Sequence, residues 1–436
     1  MAADAADDGT VGPLATFRRF FALRRDVLVL SLAMFAFSLA FQMTGRYLPE
    51  YLHVLGASAA VIGLYGSAGN LISAVYPYPG GALSDRVGSR LALTLFGVVA
   101  TLGFAIWAAA PALGTVSLGA LAIPAWTWIF AGLFLAQAWK SFGLGATFAV
   151  VKQSVEPDRL ATGFASTETF RRVGFLVGPL LAAVVLATSA TFVAGFQRVL
   201  LLAVAFGAVA TVAQHVLYDA SEDTLGKAFG GVGTLLADLR SLPSPLRPLL
   251  VGDTLVRFAN GMVYVFFVRV VVDFLAVGFT GFGLSLRPDA FFGVLLGVEM
   301  AVALLTMVPV ANLARRVGLK PVVGLGFLVY AAFPVLLINA PADPVVVGLL
   351  FAFSGLRFAG LPAHKALIVG PAEAGAGGRV TGTYYLVRNV VVIPSAAIGG
   401  WLYGQDPTVA FGLASAVGLV GTAFFLAFGE EFEPYA

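Results

Sequence analysis

Apolar residues fall in about twelve runs, each about twenty residues long or more, separated by short connections rich in Gly, Pro and charge. The pattern predicts membrane-spanning helices at 26–48, 58–78, 90–110, 126–149, 163–188 and 194–217. A second set is expected at 248–275, 290–311, 322–340, 345–369, 380–402 and 408–428. The first run, from Val27 to about Leu48, is too long and too polar at its far end for a cleaved leader, so an uncleaved helix is expected. Residues 218–247 mix charge, Gly and Pro with one short helix pattern, which suits a connector at the membrane surface. The expected organisation is therefore a cytoplasmic segment 1–25, a six-helix bundle 26–217, a cytoplasmic connector 218–247, a second bundle 248–428 and a tail 429–436.

Composition agrees with an all-α integral membrane protein, since 59% of the 436 residues are hydrophobic and 11% are charged, against roughly 25% charged in soluble domains. The net charge of +3 acquires meaning only when placed by side. With the N-terminus in the cytoplasm, Arg18, Arg19, Arg24, Arg25, Arg86, Arg90, Lys152, Arg159, Lys227, Arg240, Arg247, Arg315, Arg316, Lys320 and Arg379 share that side, and little beyond Arg287 is left outside. Both termini are therefore expected in the cytoplasm, in the plasma membrane. The chain has no Cys, which excludes disulfides and thiolate metal sites. His53, His215 and His364 are far apart, make no metal-ligand spacing and receive no role, so neither metal nor cofactor is expected.

An internal repeat fixes the architecture further. A shift of 230 lays the stretch from Gly63 over that from Gly293 without a gap, matching Pro79 to Pro309 and Leu83, Arg86, Val87 and Gly88 to Leu313, Arg316, Val317 and Gly318. A shift of 217 lays KSFG at 140 over RFAG at 357, and a shift of 223 lays Arg46 and Glu50 over Arg269 and Asp273. Three matches in chain order imply a duplication, hence two six-helix bundles related by a pseudo-two-fold axis along the membrane normal.

Residues 81–90 read GALSDRVGSR. They match G-x-L-(A/S)-D-R-x-G-x-(R/K), the loop signature between spans two and three of the major facilitator superfamily, and the chain resembles that family from about 26 to 428. The resemblance implies a cytoplasmic latch between the bundles built on Gly81, Asp85, Arg86, Gly88 and Arg90. On physical grounds Gly88 permits a tight turn, Arg86 and Arg90 hold the segment in the cytoplasm, and Asp85 can accept from helix N-termini or pair with a cation. The second copy has Ala311 and Arg315 where the first has Gly81 and Asp85, so no symmetrical latch is expected. In span five, GFLVGPLLAA from Gly174 is similar to the G-x-x-x-G-P-x-x-G-G pattern of the family's exporters, with Ala182 and Ala183 in place of the last glycines. Close helix packing explains Gly174 and Gly178 equally well. By motif pattern the drug/proton antiporters are the nearest members.

Ionisable residues inside spans are costly and are site candidates by default. The resemblance implies that spans one, four, seven and ten line a central cavity, with two, five, eight and eleven at the seam. Asp253, Arg257, Asn260 and Tyr264 fall at i, i+4, i+7 and i+11, one face of span seven, and are expected in the cavity with Lys140 and Arg357. Asp253 and Arg257 also suit a purely structural pair. Glu299 stands mid-span with no opposite charge within a turn, so it is either protonated, as a proton carrier would be, or paired across the seam with Arg171 or Arg172. Glu168 with Arg172, and Arg388 at similar depth, complete the seam candidates. Arg46 with Glu50, and Arg269 with Asp273, lie near the outer ends and are expected as gate or structural pairs, although arginines on spans one and seven also resemble those of the family's organophosphate exchangers.

No HExxH, GxSxG or phosphate-cradling GxxxxGK[ST] is present, which speaks against a membrane enzyme. The expected function is alternating-access transport of a small solute by a monomer in the bilayer, without a nucleic-acid partner and with protons as the coupling ion. Proton-driven export of a lipophilic or organic solute is the first reading. Uptake or exchange of an organic anion is the second, drawn from the excess of cations over acids within the spans. A sensor that binds without transporting is the third.

Overall fold

The computed structural model describes residues 25–119, 121–142, 160–218, 243–370 and 377–431. Among them, ten helical segments are long and apolar enough to cross a bilayer. The first half holds α1 (Arg25–Thr44), α2 (Leu48–Val54), α3 (Ala59–Val75), α4 (Pro77–Val87), α5 (Ser89–Leu113), α6 (Thr127–Gln137), α7 (Leu160–Ala187) and α8 (Phe192–Leu217). The second holds α9 (Leu246–Val263), α10 (Pro288–Val317), α11 (Leu319–Ile338), α12 (Pro344–Gly355), α13 (Leu361–Val369), α14 (Gly377–Val392), α15 (Ser395–Gln405) and α16 (Pro407–Phe428). The connector expected at 218–247 lies almost wholly outside the described residues, as do the segments expected at 1–25 and in most of the tail. The end at which residues 45–58 and 275–287 turn is the one the cation distribution assigns to the outside, and it is called outer below.

Helix boundaries follow local chemistry. Asp343 and Asp406 each cap a helix whose first residue is proline, accepting from Val345 and Val346 and from Thr408 and Val409. Pro77 has no N–H to continue α3, so the chain restarts as α4 at Tyr76. The motif at 81–90 was expected as a loop, but residues through Val87 belong to α4 and only Gly88 turns. Gly88 sits at φ 86° and ψ 155°, and its repeat partner Gly318 at φ 92° and ψ 165°, a region that L side chains rarely enter. In the second copy Pro309 is absorbed inside α10, which runs unbroken to Val317.

The duplication is visible in the packing. α1 packs on α8 and α5 on α8, just as α9 packs on α16 and α11 on α16. The halves meet where α7 packs on α10 and where α3 packs on α14 and α15. Small residues set these approaches. A Cβ on Gly63 would stand 2.4 Å from the Ala396 carbonyl oxygen, and one on Gly293 would stand 2.6 Å from that of Pro179. Gly174 and Gly178 serve the contact of α7 with α1, where added Cβ atoms would stand 2.9 Å from the Cβ atoms of Ser38 and Gln42.

Candidate functional site: a charged cavity between the halves

The helix faces that meet at the centre leave two adjoining cavities that share Tyr264. One, of about 240 Å³, is walled by Asn70, Arg257, Asn260, Tyr264, Arg388 and Asn389 among others. The second, of about 190 Å³, is walled by Gln42, Arg46, Arg171, Arg172, Tyr264 and Glu299, with Phe175 and Phe358. Both draw on the two halves. Regular α-helix fails where charge enters this region: span ten passes through a 3-10 turn at Leu356–Phe358 carrying Arg357, and span four through a π turn at Ala138–Phe142 carrying Lys140.

Asp253 is the hub behind the larger cavity. It is fully buried, and its Oδ1 lies 3.2 Å from Arg257 Nε while Oδ2 lies 3.1 Å from both Arg388 Nη1 and the Tyr384 hydroxyl. The Nε2 atom of His364 stands 3.3 Å from Oδ2. Arg257 also donates to the Tyr330 hydroxyl at 2.7 Å. The i, i+4 pair of Asp253 and Arg257 is present, and Arg257, Asn260 and Tyr264 reach the cavity wall. Arg388 was expected with the seam charges and instead closes on Asp253. His364, given no role from the sequence, is buried in this hub, and no spacing in the sequence signalled it.

Glu299 has a different partner from the two weighed in the sequence. Its Oε1 accepts from Arg357 and, at 2.7 Å, from the Ser354 hydroxyl, while Oε2 lies 3.9 Å from Arg46 Nη2. Arg171 and Arg172 wall the same cavity, with the Arg171 guanidinium 5.5 Å from the Phe175 ring. Arg357 is nearer because the 3-10 turn aims it across the α10 to α12 contact inside one half. The side chains of Glu168 and Asp85 lie outside the described ones, and Gly81 lies within α4. Arg86 is exposed. Lys140 walls neither cavity, and its ammonium lies 5.9 Å from the Phe41 ring.

Of the outer pairs, Arg269 keeps Asp273, whereas Arg46 and Glu50 part. Arg46 turns inward over the Tyr264 ring, 4.1 Å from its centroid, and leaves Glu50 to Arg269. Arg269 lies 3.1 Å from Glu50 across the halves and 2.6 Å from Asp273 on its own helix. Two further ties close the outer end: the Tyr47 hydroxyl donates to the Asp289 carbonyl at 3.2 Å, and Arg287 donates to the Ser189 carbonyl at 2.6 Å.

Comparison with known proteins places this fold in a family. The model of the Major Facilitator Superfamily matches residues 30–287, more than half of the chain. The chain belongs to the major facilitator superfamily. An uncharacterised transporter of this type from Methanocaldococcus jannaschii is 21% identical over 407 residues, covering 93% of this chain and 95% of the relative. Another from Mycobacterium tuberculosis is 30% identical over 207 residues, 47% of this chain and 44% of its own. Among solved structures, the nucleoside transporter NupG superposes with a TM-score of 0.71 at 13% identity, covering 93% of this chain and 99% of that one. A POT family transporter in complex with 5-aminolevulinic acid superposes with a TM-score of 0.72 at 14% identity, covering 93% and 96%. At such identities the likeness is one of fold. The protein is a multi-pass membrane transporter of this superfamily, and membership sets it among transporters rather than enzymes.

Proposed function

We propose that the protein carries a small solute by alternating access, binding it in the paired cavities and exposing it to one side at a time as the halves rock. The observation that supports this reading is a set of ties at the outer end: Arg269 with Glu50, Tyr47 with Asp289 and Arg287 with Ser189 join the halves there, above a cavity walled by charge. In this reading these ties are an outer gate that opens in the alternate state, both termini are cytoplasmic, the membrane is the plasma membrane and a monomer suffices. Coupling to protons is assigned to Glu299, because a carboxyl on the cavity wall that holds Arg357 when ionised releases it when protonated. Export as the direction rests on the resemblance of GFLVGPLLAA to the exporters and its drug/proton antiporter members. The cytoplasmic latch at Asp85 rests likewise on the resemblance of residues 81–90.

The test is proteoliposomes loaded with a pH-sensitive dye and offered lipophilic cations, nucleosides and organic anions in turn. Movement of at least one solute accompanied by a pH change, with the pH change lost in Glu299→Gln, is the expected result. Solute movement with no pH change in the native protein removes the proton coupling, and absence of movement for every solute removes transport.

A further inference from the structure

We propose that the carried solute is a small polar organic anion and that Arg46 receives its carboxylate or phosphate oxygens. This rests on the carrier reading above and adds the chemistry of its cargo. Arg46 is nine-tenths buried, walls the smaller cavity, and its Nη2 atom has no hydrogen-bond partner. The acid beside it, Glu299, presents its Oε2 atom at 3.9 Å, beyond hydrogen-bonding reach, while the other oxygen of that carboxylate, Oε1, is held by Arg357 and Ser354. One face of the guanidinium rests on Tyr264, which fixes its plane and leaves its edge toward the cavity. A buried cationic donor without an acceptor is costly, and an arriving oxyanion removes that cost by forming a charge-assisted hydrogen bond.

Charge counting around the site points the same way. Among the described residues, Arg46, Arg171, Arg172, Arg257, Arg357 and Arg388 contribute six positive charges, while Asp253 and Glu299 contribute two negative ones, a difference of four. A lipophilic cation would add to that excess in a region of low dielectric, whereas an anion reduces it. The larger cavity then sets the remainder of the molecule. Its wall combines Asn70, Asn260 and Asn389 with Arg257, which matches hydroxyl, amide or amino groups better than hydrocarbon, and its volume of about 240 Å³ suits a metabolite rather than a lipid. Tyr264, common to both cavities, stands where such a solute crosses from one to the other.

Thermal unfolding in nanodiscs tests this, since a solute that binds only the folded state raises the melting temperature. The probes are succinate, glutamate and glucose 6-phosphate, each at millimolar concentration, against glucose, succinamide and tetraphenylphosphonium. Stabilisation by a carboxylate or by the phosphate ester, absent with its neutral counterpart, is expected, and which of the two acts identifies the oxyanion. Arg46→Gln should weaken that binding about tenfold or more, equivalent to about 1.4 kcal/mol, and Arg46→Lys by less, while Arg315→Gln on the exposed surface leaves it unchanged. Native affinity in a folded Arg46→Gln overturns the role of Arg46. Stabilisation by glucose or tetraphenylphosphonium with none by any of the three anions, or by no probe at all, overturns the anion class even if neither variant folds. Anion binding without movement in the dye-loaded proteoliposomes keeps this inference and removes the carrier reading; movement of a neutral or cationic solute without anion binding does the reverse.

Discussion

Arg269 is the point at which the outer gate is most exposed to a single substitution. Its guanidinium ties Glu50 of the first half at 3.1 Å and Asp273 of its own helix at 2.6 Å, and the Arg269 and Glu50 side chains are 13% and 6% exposed. Arg269→Gln removes a shielded charge-assisted hydrogen bond, a loss of about 1.5–3 kcal/mol, and leaves two carboxylates facing each other where one cation separated them. Taking about 2 kcal/mol as the net cost to the closed outer end, the ratio of open to closed molecules rises about 30-fold. The absence of native Cys makes the assay direct: Gln42→Cys on the cavity wall is labelled by a membrane-impermeant maleimide added to right-side-out vesicles. The labelling rate should rise by about an order of magnitude when Arg269→Gln is added. Asp273→Asn should not raise it, because that ion pair lies within one half and its loss leaves Arg269 wholly to Glu50. Equal rates in Arg269→Gln and the parent, with both proteins folded, would refute the gate.

The Glu50 carboxyl lies outside the spanning segments, and burial followed by the neighbouring Asp273 pushes it up to about 7 from its usual 4.5. A group whose value is raised in the closed state stabilises that state fully below its ordinary value and loses the effect as pH rises through the raised one; outside labelling of Gln42→Cys should therefore increase between about pH 4.5 and 7, and Glu50→Gln should flatten that slope. Asp253→Asn leaves Arg257, Arg388 and His364 around a buried neutral amide, which should cost about 3–5 kcal/mol and appear as a clear drop in melting temperature. Gly399→Ala places a Cβ 1.8 Å from the Met262 carbonyl oxygen, where only backbone can move, and should lower the melting temperature as well. Gly63→Ala meets the Ala396 carbonyl oxygen at 2.4 Å across the seam, so its effect should fall on outside labelling, which rises.

Periodicity and duplication were legible because both are local. Runs of about twenty apolar residues specify spans whatever surrounds them. The match of Gly88 to Gly318 carried through to two turns with nearly the same dihedrals, since only glycine takes that conformation without strain. The i, i+4, i+7 and i+11 face of span seven was legible for the same reason: it needs only the pitch of one helix, and it brought Arg257, Asn260 and Tyr264 to one cavity.

Partner choice was not legible, because it depends on which helices meet. Sequence proximity joined Arg46 to Glu50, yet the chain breaks at Gly45 and Arg46, and α2 carries Glu50 toward the second half. Once Arg269 takes Glu50, Arg46 is left to face inward, with an aromatic ring beneath it and its Nη2 atom without a hydrogen-bond partner. The same rule explains Glu299. No charge within a turn of it was opposite, but the 3-10 turn of span ten, invisible to hydropathy, brings Arg357 onto its carboxylate. A charge excess that looked diffuse along the sequence is thereby gathered into two groups, Arg257 and Arg388 around Asp253 and Arg357 on Glu299, with the Nη2 atom of Arg46 lacking a hydrogen-bond partner beside them. That division favours an anion: an oxyanion can be held at Arg46 without first breaking the Asp253 group or the Arg357 contact, whereas among the described residues Asp253 and Glu299 both already face arginines.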